Sequence, residues 1–404
     1  MLALGIVVGI FILTLLVVVH EFGHYLAARR SGVVVEEFGI GLPPRAWGKK
    51  LKNGVLFSIN WLPIGGFCKM QGESDAADKK GDYGKATYWQ KTKILFAGVV
   101  MNWLAAIVIF TILALVGMPH LIRGQFTVPG DTVVDSPSAV RVAEVVKGSP
   151  ADKAGLKKGD MVVYLDGPDT NDTQCIQAPC PSDDEDMLYI KEAYEVTDYA
   201  REHAGETITV GYKRDGGNLV TTKAIMLKEG NKEGYYFGLS ASQDGATLYR
   251  STWSAPIVGV ATTVQLTGET FKGVGVLLGE LFGGLAKQLS LDASTRESGR
   301  ADVGKAGDGV TGPVGIVGVL FPQATQAGGI TLLMLAGVIS LSLAVMNVLP
   351  IPALDGGRWL LTTIYRLRRK KLTQEAEEKA VTAGFIALFG LFILITIIDI
   401  VRLF

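Results

Sequence analysis

The sequence predicts a polytopic α-helical membrane protein with four transmembrane helices, a membrane-associated β-hairpin and one extracytoplasmic α/β domain. Three observations predict this fold class. Hydrophobic residues make up 48% of the 404 residues, and the mean hydropathy is positive. Four segments contain about the 20 apolar residues that cross a bilayer. A separate charged region, with alternating apolar positions and turn residues, is typical of a soluble domain.

The first apolar segment has no basic n-region or cleavage site, so it is not expected to be a removable signal peptide. The predicted organisation has seven parts in chain order. The parts are transmembrane helix 1 (1–28), a cytoplasmic-side loop with the hairpin (29–93), transmembrane helix 2 (94–118), the soluble domain (125–240), an extracytoplasmic amphipathic helix and linker (250–329), transmembrane helix 3 (330–358) and transmembrane helix 4 (382–404).

Loop charges predict the orientation. The segment 29–93 has 12 Lys and Arg against 6 Asp and Glu, and 350–381 has 7 against 4. The segment 119–329 has 19 against 27. Because basic loops stay in the cytoplasm, both termini and the soluble domain should face outwards. The net charge of zero argues against a nucleic-acid partner. The apolar spans make the lipid bilayer the expected surroundings.

The first span ends in His20-Glu21-Phe22-Gly23-His24, a His-Glu-x-x-His pattern. Histidines at i and i+4 lie on one helix face, so both imidazoles can bind one metal ion. Glu21 lies beside them, where it can accept a proton from a water molecule at the metal. The alternative is a pair of interfacial histidines without metal. Ionisable groups inside an apolar span are costly and usually functional, which favours a zinc site.

The loop after the first span contains two short apolar runs that predict a hairpin around Asn60–Gly66. Such a hairpin is too short to span, and its edge needs cover from protein or water. An exposed edge beside a metal site could bind an extended peptide by strand addition. A purely structural hairpin is the alternative. In the second span, Asn102 is interpreted as an interhelical hydrogen-bonding residue.

The soluble region has its clearest pattern over residues 142–167. We expect a strand, a short helix beginning near Ser149-Pro150, a glycine-punctuated turn and a second strand. This segment resembles a bacterial PDZ domain, whose groove would take a peptide or chain terminus as an added strand. A spacer or plug that binds no chain end is the alternative.

Two further segments interrupt or follow this domain. Residues 168–190 are expected to form a solvent-exposed insertion carrying Cys175 and Cys180, which could pair or remain free thiols. Residues 250–290 have apolar positions at helical spacing, which predicts an amphipathic helix on the outer membrane face.

The third span ends at Asn347-Val348-Leu349-Pro350-Ile351-Pro352-Ala353-Leu354-Asp355. The two prolines break the helix near the cytoplasmic end, at the depth predicted for the two histidines. Asp355 can therefore supply a third ligand and leave the fourth position to water. Asn347 can donate a hydrogen bond to a carbonyl oxygen that becomes an oxyanion. Alternatively, Asp355 is a helix N-cap before two glycines.

These motifs, in this order, resemble the bacterial site-2 protease family of intramembrane zinc metalloproteases. The resemblance implies that His20, His24 and Asp355 bind Zn²⁺, that Glu21 is the general base and that Asn347 contacts the substrate. It also implies that the hairpin presents the substrate as a strand. The hairpin residues concerned are Asn60, Leu62, Pro63, Gly65, Gly66 and Phe67.

The resemblance further implies substrates that are single-span membrane proteins, such as anti-sigma factors or signal-peptide remnants, in some cases after a first extracytoplasmic cleavage. It places the protein in the bacterial inner membrane, with the active site toward the cytoplasm. The best-known relatives carry two tandem PDZ domains, whereas this sequence has one. Two other classes remain as alternatives: a non-catalytic membrane PDZ scaffold and an intramembrane metal transporter.

Overall fold

The computed structural model describes residues 2–136, 139–167, 188–227, 236–243, 245–288 and 312–403, together with residues 292 and 298. The chain divides into two compact units. The membrane unit comprises Met1–Met118, Gly124–Asp131 and Ser251–Phe404, and the soluble unit comprises Pro119–Arg123 and Thr132–Arg250.

Three helices in the described part of the chain are long and apolar enough to cross a membrane. They are α1 (Leu2–Arg30), α2 (Tyr88–Val116) and α8 (Gly329–Val348). They match the first three predicted spans. Residues 382–403 of the fourth predicted span (382–404) fall within another helix, α10 (Gln374–Leu403), which is not among these three. The count of four spans therefore stays a prediction.

Small residues allow α1, α2 and α8 to pack closely. A β-carbon at Gly23 would lie 2.3 Å from the carbonyl oxygen of Ala97, so the glycine inside the His-Glu-x-x-His pattern permits contact between α1 and α2. A β-carbon at Gly337 of α8 would lie 3.0 Å from the ring of Phe110 on α2. Such small-residue contacts are typical of membrane helix interfaces.

The loop between α1 and α2 forms two long strands, β1 (Val35–Lys50) and β2 (Leu56–Met70). This confirms a paired β element but places its turn at 51–55. The predicted turn region, Asn60–Gly66, lies within β2. The sequence obscured this because β1 is polar and contains prolines. The two strands pair in three stretches. Residues 45–50 of β1 pair with residues 56–60 of β2 next to the turn, and residues 35–42 of β1 pair with residues 62–70 of β2. Residues 37–40 of β1 pair in addition with residues 56–59 of β2.

The soluble unit is built on a six-stranded sheet in which β10, β5, β6, β8 and β9 are neighbours in that order and β7 pairs with β6. Its core is a single cluster of buried apolar side chains that includes Leu165 and Ile208. The elements are β4 (Val133–Ser136), β5 (Val140–Val145), α3 (Pro150–Lys153), β6 (Met161–Asp166), β7 (Leu188–Tyr189), α4 (Ala193–Glu202), β8 (Thr207–Lys213), β9 (Leu219–Ile225), β10 (Leu239–Gln243) and β11 (Leu248–Arg250), with β4 paired to β11. A two-residue strand, β3 (Met118–Pro119), precedes them.

The predicted strand, short helix, turn and strand over 142–167 are present as β5, α3 and β6. Ser149 is the N-cap of α3 and its side chain accepts a hydrogen bond from the backbone N–H of Asp152. Most of the predicted insertion, including Cys175 and Cys180, lies outside the described residues. Its last residues, 188–189, belong to β7 rather than to an exposed insertion.

The amphipathic segment forms α5 (Ala255–Gln288), which packs lengthwise on α2. A β-carbon at Gly259 would lie 2.3 Å from Oγ1 of Thr111, and the indole N–H of Trp103 donates to Oγ1 of Thr267 at 3.1 Å. Because Trp103 lies near the middle of α2, this contact differs from the prediction of a helix lying flat on the outer membrane face.

The remaining helical elements surround α1 and the break after α8. Gly5 and Gly9 of α1 lie directly against Pro322 and Phe321. A β-carbon at Gly384 of α10 would lie 2.9 Å from the backbone nitrogen of Ala353. The elements are α6 (Pro313–Gly315), a π-helical segment (Ile316–Leu320), α7 (Phe321–Ala327) and α9 (Asp355–Leu367).

Candidate metal centre

Three side chains from distant parts of the chain meet at one point. Nε2 of His20 and Nε2 of His24 are 3.1 Å apart. Oδ2 of Asp355 lies 3.2 Å from the first and 3.3 Å from the second. Both histidines are buried, and 18% of the Asp355 side chain is exposed. The structure therefore brings together the three residues that the sequence predicts as zinc ligands.

The break after α8 delivers Asp355 to this point. The helix ends at Val348, and α9 begins at Asp355 with Leu354 as its N-cap. The carboxylate therefore does not occupy the N-cap position, which was the alternative reading of this residue. The two glycines that follow are required by packing. A β-carbon at Gly356 would lie 2.1 Å from the carbonyl oxygen of Val348, and one at Gly357 would lie 1.9 Å from that of Ile351.

The facing atoms are arranged to share a positive charge, either a metal ion or a proton on one imidazole. Nδ1 of His24 is 2.8 Å from the carbonyl oxygen of Ile94 and donates a hydrogen bond to it. In the neutral ring, Nε2 of His24 then carries a lone pair. Oδ2 of Asp355 is buried and has no hydrogen-bond donor among the described residues. Two electron-pair donors at 3.3 Å repel each other unless a positive charge lies between them.

The spacing of the three atoms fits zinc. Tetrahedral zinc with bonds of about 2.0–2.1 Å holds its ligand atoms roughly 3.3 Å apart. The three observed separations are 3.1, 3.2 and 3.3 Å. Two imidazoles and one carboxylate are also a donor set found in catalytic zinc sites, where water takes the fourth position.

Glu21 adjoins this group on α1. Its carboxylate interacts electrostatically with His20, His24 and Asp355. A β-carbon at Gly66 of β2 would lie 3.8 Å from Cγ of Glu21. Glu21 is thus close both to the three ligand atoms and to Gly66, which belongs to residues 62–70 of β2, here called the outer segment of β2.

The first three predicted substrate-binding residues of the hairpin differ in how exposed they are. Asn60 is buried, and its side-chain nitrogen donates to the carbonyl oxygens of Ile40 and Gly41 at 3.2 Å each, so it holds β1 and β2 together. Leu62 and Pro63, by contrast, are exposed. The carbonyl oxygen of Pro63 accepts a hydrogen bond from Thr14 of α1 at 2.7 Å.

The three other predicted hairpin residues shape the outer segment of β2. Gly65 has φ +81°, a conformation that favours glycine, and it bends the strand. A β-carbon at Gly66 would lie 3.1 Å from the carbonyl oxygen of Gly39. The ring of Phe67 covers Gly39 on β1. Within the described residues, no strand other than β1 pairs with residues 62–70.

An apolar cavity of about 460 Å³ lies between α1 and the two strands. Its walls include Phe11 and Val18 of α1, Ile40 of β1, and Ile59 and Pro63 of β2. One lining residue, Pro63, belongs to the outer segment of β2, and the apolar lining suits an extended apolar chain.

The structure does not bring Asn347 into contact with the metal ligands. The Asn347 side chain is half-buried and donates to the carbonyl oxygen of Leu343, one turn earlier on α8, at 3.0 Å. Its predicted role toward the substrate therefore stays a prediction.

Sequence reasoning singled out Asn102 only as an interhelical hydrogen-bonding residue and did not find the contacts by which α2 supports the histidines. These are the carbonyl of Ile94, the close approach of Gly98 and the side chain of Asn102, which recur at every fourth position on one face. That spacing was visible in the sequence, but nothing in it connected this face of α2 with α1.

Comparison with known proteins adds independent information. The model of peptidase family M50 matches residues 8–391. A candidate zinc metalloprotease of Clostridium perfringens is 30% identical, with 96% of this chain and 95% of the relative covered. The regulator of sigma-W protease RasP of Bacillus subtilis is 27% identical, with 99% of each chain covered.

Proposed function

Because the chain belongs to peptidase family M50, we propose that His20, His24 and Asp355 hold its zinc ion and that Glu21 is the general base. The protein is an integral membrane zinc metalloprotease of the site-2 protease type, which cleaves peptide bonds within transmembrane segments. The observation that supports the site assignment is the convergence of three electron-pair donors from α1 and α9 on one point.

The chain's own groups would perform most of the steps. Zinc, when bound, supplies Lewis-acid polarisation of the scissile carbonyl and of the attacking water. Glu21 accepts a proton from that water and passes it to the leaving amine. His24 is fixed in orientation by its hydrogen bond to the carbonyl oxygen of Ile94, so its ring does not need to reorganise during turnover.

A substrate helix must unwind before its peptide bonds can react, because its own hydrogen bonds shield them. We propose that the unwound segment adds to the edge of β2 at residues 62–70. Strand addition would satisfy the backbone groups freed by unwinding. Gly66 would then bring the scissile bond next to Glu21, since these residues face each other. The side-chain amide of Asn347 would rotate away from α8 and donate to the developing oxyanion.

Substrate choice and topology are also part of the proposal. We place the protein in the bacterial inner membrane with both termini and the soluble unit outside and the active site toward the cytoplasm. The Bacillus subtilis relative is named a regulator of sigma-W protease. By analogy, single-span regulatory proteins such as anti-sigma factors are proposed substrates, and a PDZ groove in the soluble unit would bind the new end left by a first cleavage.

The test is the variant Glu21→Gln, which keeps the size of the side chain and removes its basicity. We expect no detectable cleavage of a co-expressed single-span substrate, while the purified protein retains its zinc. Glu375→Gln is the matched control because Glu375 is exposed on α10, where it pairs with Lys379. Cleavage by Glu21→Gln at the rate of the control would eliminate Glu21 as the base.

A further inference from the structure

Asn102 lies at the metal centre although it is a residue of α2, not of the zinc motifs. Its side chain is completely buried, and Nδ2 is 3.5 Å from Nδ1 of His20. Its other polar atom, Oδ1, is buried and has no hydrogen-bond partner among the described residues. A buried amide with an unsatisfied oxygen is costly, which calls for a functional explanation.

The two histidines differ in how their Nδ1 atoms are satisfied. Nδ1 of His24 donates to the carbonyl oxygen of Ile94, which leaves Nε2 free to bind a metal. If Nε2 of His20 binds the same metal, Nδ1 of its neutral ring carries the hydrogen and must also donate. The group that faces this Nδ1 is the amide of Asn102.

A donating amide nitrogen at this position would require the opposite tautomer. Nδ1 of His20 would then be the acceptor, and the hydrogen on Nε2 would prevent metal binding. The oxygen and nitrogen of an Asn amide have nearly the same shape, and a rotation of 180° exchanges them. After that rotation, Oδ1 faces Nδ1 of His20 and can accept its hydrogen, while Nδ2 takes the position in which the oxygen had no partner.

We propose that Asn102 is a positioning residue whose Oδ1 accepts a hydrogen bond from Nδ1–H of His20 and so fixes the tautomer that offers Nε2 to zinc. The proposal rests on the proposed ligand set. It makes α2 the support of both imidazoles, through the backbone at Ile94 and the side chain at Asn102.

The position of Asn102 is itself held by α8. The hydroxyl of Ser340 donates to the backbone carbonyl oxygen of Asn102 at 2.8 Å, and both residues are completely buried. The contact anchors the main chain at Asn102 and leaves its side chain free to face His20. Packing of α2 on α8 and support of the histidine can therefore be tested separately.

The experiment compares Asn102→Leu with Asn102→Asp in the purified full-length protein. Leu has nearly the same shape but cannot accept a hydrogen bond, whereas Asp offers an acceptor oxygen at the same place. Loss of a partner that orients a metal-binding histidine commonly weakens metal affinity by about 10–100-fold. We expect a loss of about that size for Asn102→Leu, measured by zinc competition against a chelator, and near-normal affinity for Asn102→Asp.

A packing role predicts the reverse order, because Leu preserves shape and Asp introduces a buried charge. Wild-type zinc affinity in Asn102→Leu, or equal losses in both variants, would overturn the proposal. The increase in unfolding temperature on adding zinc is the second measurement. It should shrink in Asn102→Leu while the zinc-free protein unfolds at the wild-type temperature, and an unchanged increase would also contradict the proposal.

Two controls separate this inference from the ligand assignment. Ser340→Ala loosens the contact between α2 and α8 without altering the Asn102 side chain, so zinc affinity should stay normal. His20→Ala should abolish tight zinc binding. If zinc remains bound in His20→Ala, the ligand set itself is wrong. If His20→Ala loses zinc and Asn102→Leu does not, only the role of Asn102 fails.

Discussion

Two carboxylates, one in each unit, have opposite surroundings: Asp160 is buried, and Asp355 is half-buried with its Oδ2 atom out of solvent. Asp160 of the soluble unit accepts hydrogen bonds from Nε and Nη2 of Arg214 at 2.8 and 2.7 Å, and from the backbone N–H of Lys157 at 2.7 Å. Oδ2 of Asp355 in the membrane unit faces two imidazole nitrogens and has no hydrogen-bond donor among the described residues.

The difference teaches how to separate a structural carboxylate from a metal ligand. A buried carboxylate that is satisfied by donors stabilises the local fold and requires no further partner. A carboxylate oxygen that faces the lone pairs of two imidazoles is instead suited to bind a cation together with them. The pairing of Asp160 with Arg214 therefore predicts effects on stability, whereas the convergence at Asp355 predicts effects on metal binding and catalysis.

The largest expected effect comes from removing each carboxylate in turn. Asp355→Ala should lose bound zinc and reduce cleavage by at least about a thousandfold, since loss of a group needed for the chemical step commonly has effects of this size or larger. Asp160→Ala should retain stoichiometric zinc. Metal analysis of the purified proteins and cleavage of a single-span substrate measure both. Stoichiometric zinc in Asp355→Ala would remove the basis of the comparison.

The second effect contrasts two glycines that have no room for a side chain. A β-carbon at Gly98 of α2 would lie 2.6 Å from Cε1 of His20 and from Nε2 of His24, so Gly98→Ala must displace the imidazoles. We expect zinc affinity to fall by about 10-fold or more, because ligand orientation controls affinity. Chelator competition measures this, and unchanged affinity would mean that the imidazoles adjust freely.

The matched variant lies in the soluble unit. A β-carbon at Gly211 of β8 would lie 2.1 Å from the ring of Tyr164 on β6. Overpacking of this kind costs about 1–3 kcal/mol. Gly211→Ala should therefore increase hydrogen exchange in β6 and β8 while zinc affinity stays normal. A change in zinc affinity here would show that the two glycines do not report on separate regions.

The zinc-ligand motifs could be predicted from the sequence, whereas the support that α2 gives the histidines could not, for a physical reason. The ligand motifs were identified from sequence because helical periodicity places His20 and His24 on one face, and because two prolines end a helix before Asp355. Asn102 was interpreted as an interhelical hydrogen-bonding residue, since its partner depends on how α1 packs on α2. Packing of this kind is set by three-dimensional contacts such as Gly23 against Ala97, which local sequence patterns do not reveal.

The β element and α5 show the same limit. Apolar alternation identified part of β2, but the polar strand β1 had no such signal, so the turn was placed within β2 rather than at 51–55. The amphipathic spacing of α5 was also detected. The helix was predicted to lie on the outer membrane face, whereas the hydroxyl of Thr267 accepts a hydrogen bond from Trp103 of α2. Periodicity gives the face of a helix that is polar but not the partner of that face.

The smallest effect is the pH dependence of the soluble unit. Burial acts to raise the pKa of Asp160, but the hydrogen bonds and charge of Arg214 and the N–H of Lys157 outweigh it and hold the pKa below 3.8. A carboxyl group whose pKa is lower in the folded state stabilises the fold above its unfolded-state pKa. That contribution is lost as the pH falls through the folded-state pKa.

Asp160→Asn should therefore increase hydrogen exchange in β6 and β8 at neutral pH, where the carboxylate is charged in the wild-type protein. The difference between the two proteins should shrink only as the pH falls through the lowered folded-state pKa of Asp160, where the wild-type carboxylate also becomes neutral. Exchange measured in the full-length protein at several pH values tests this. A difference that stays constant down to the lowest pH would show that shape, rather than the ion pair with Arg214, is what Asp160 contributes.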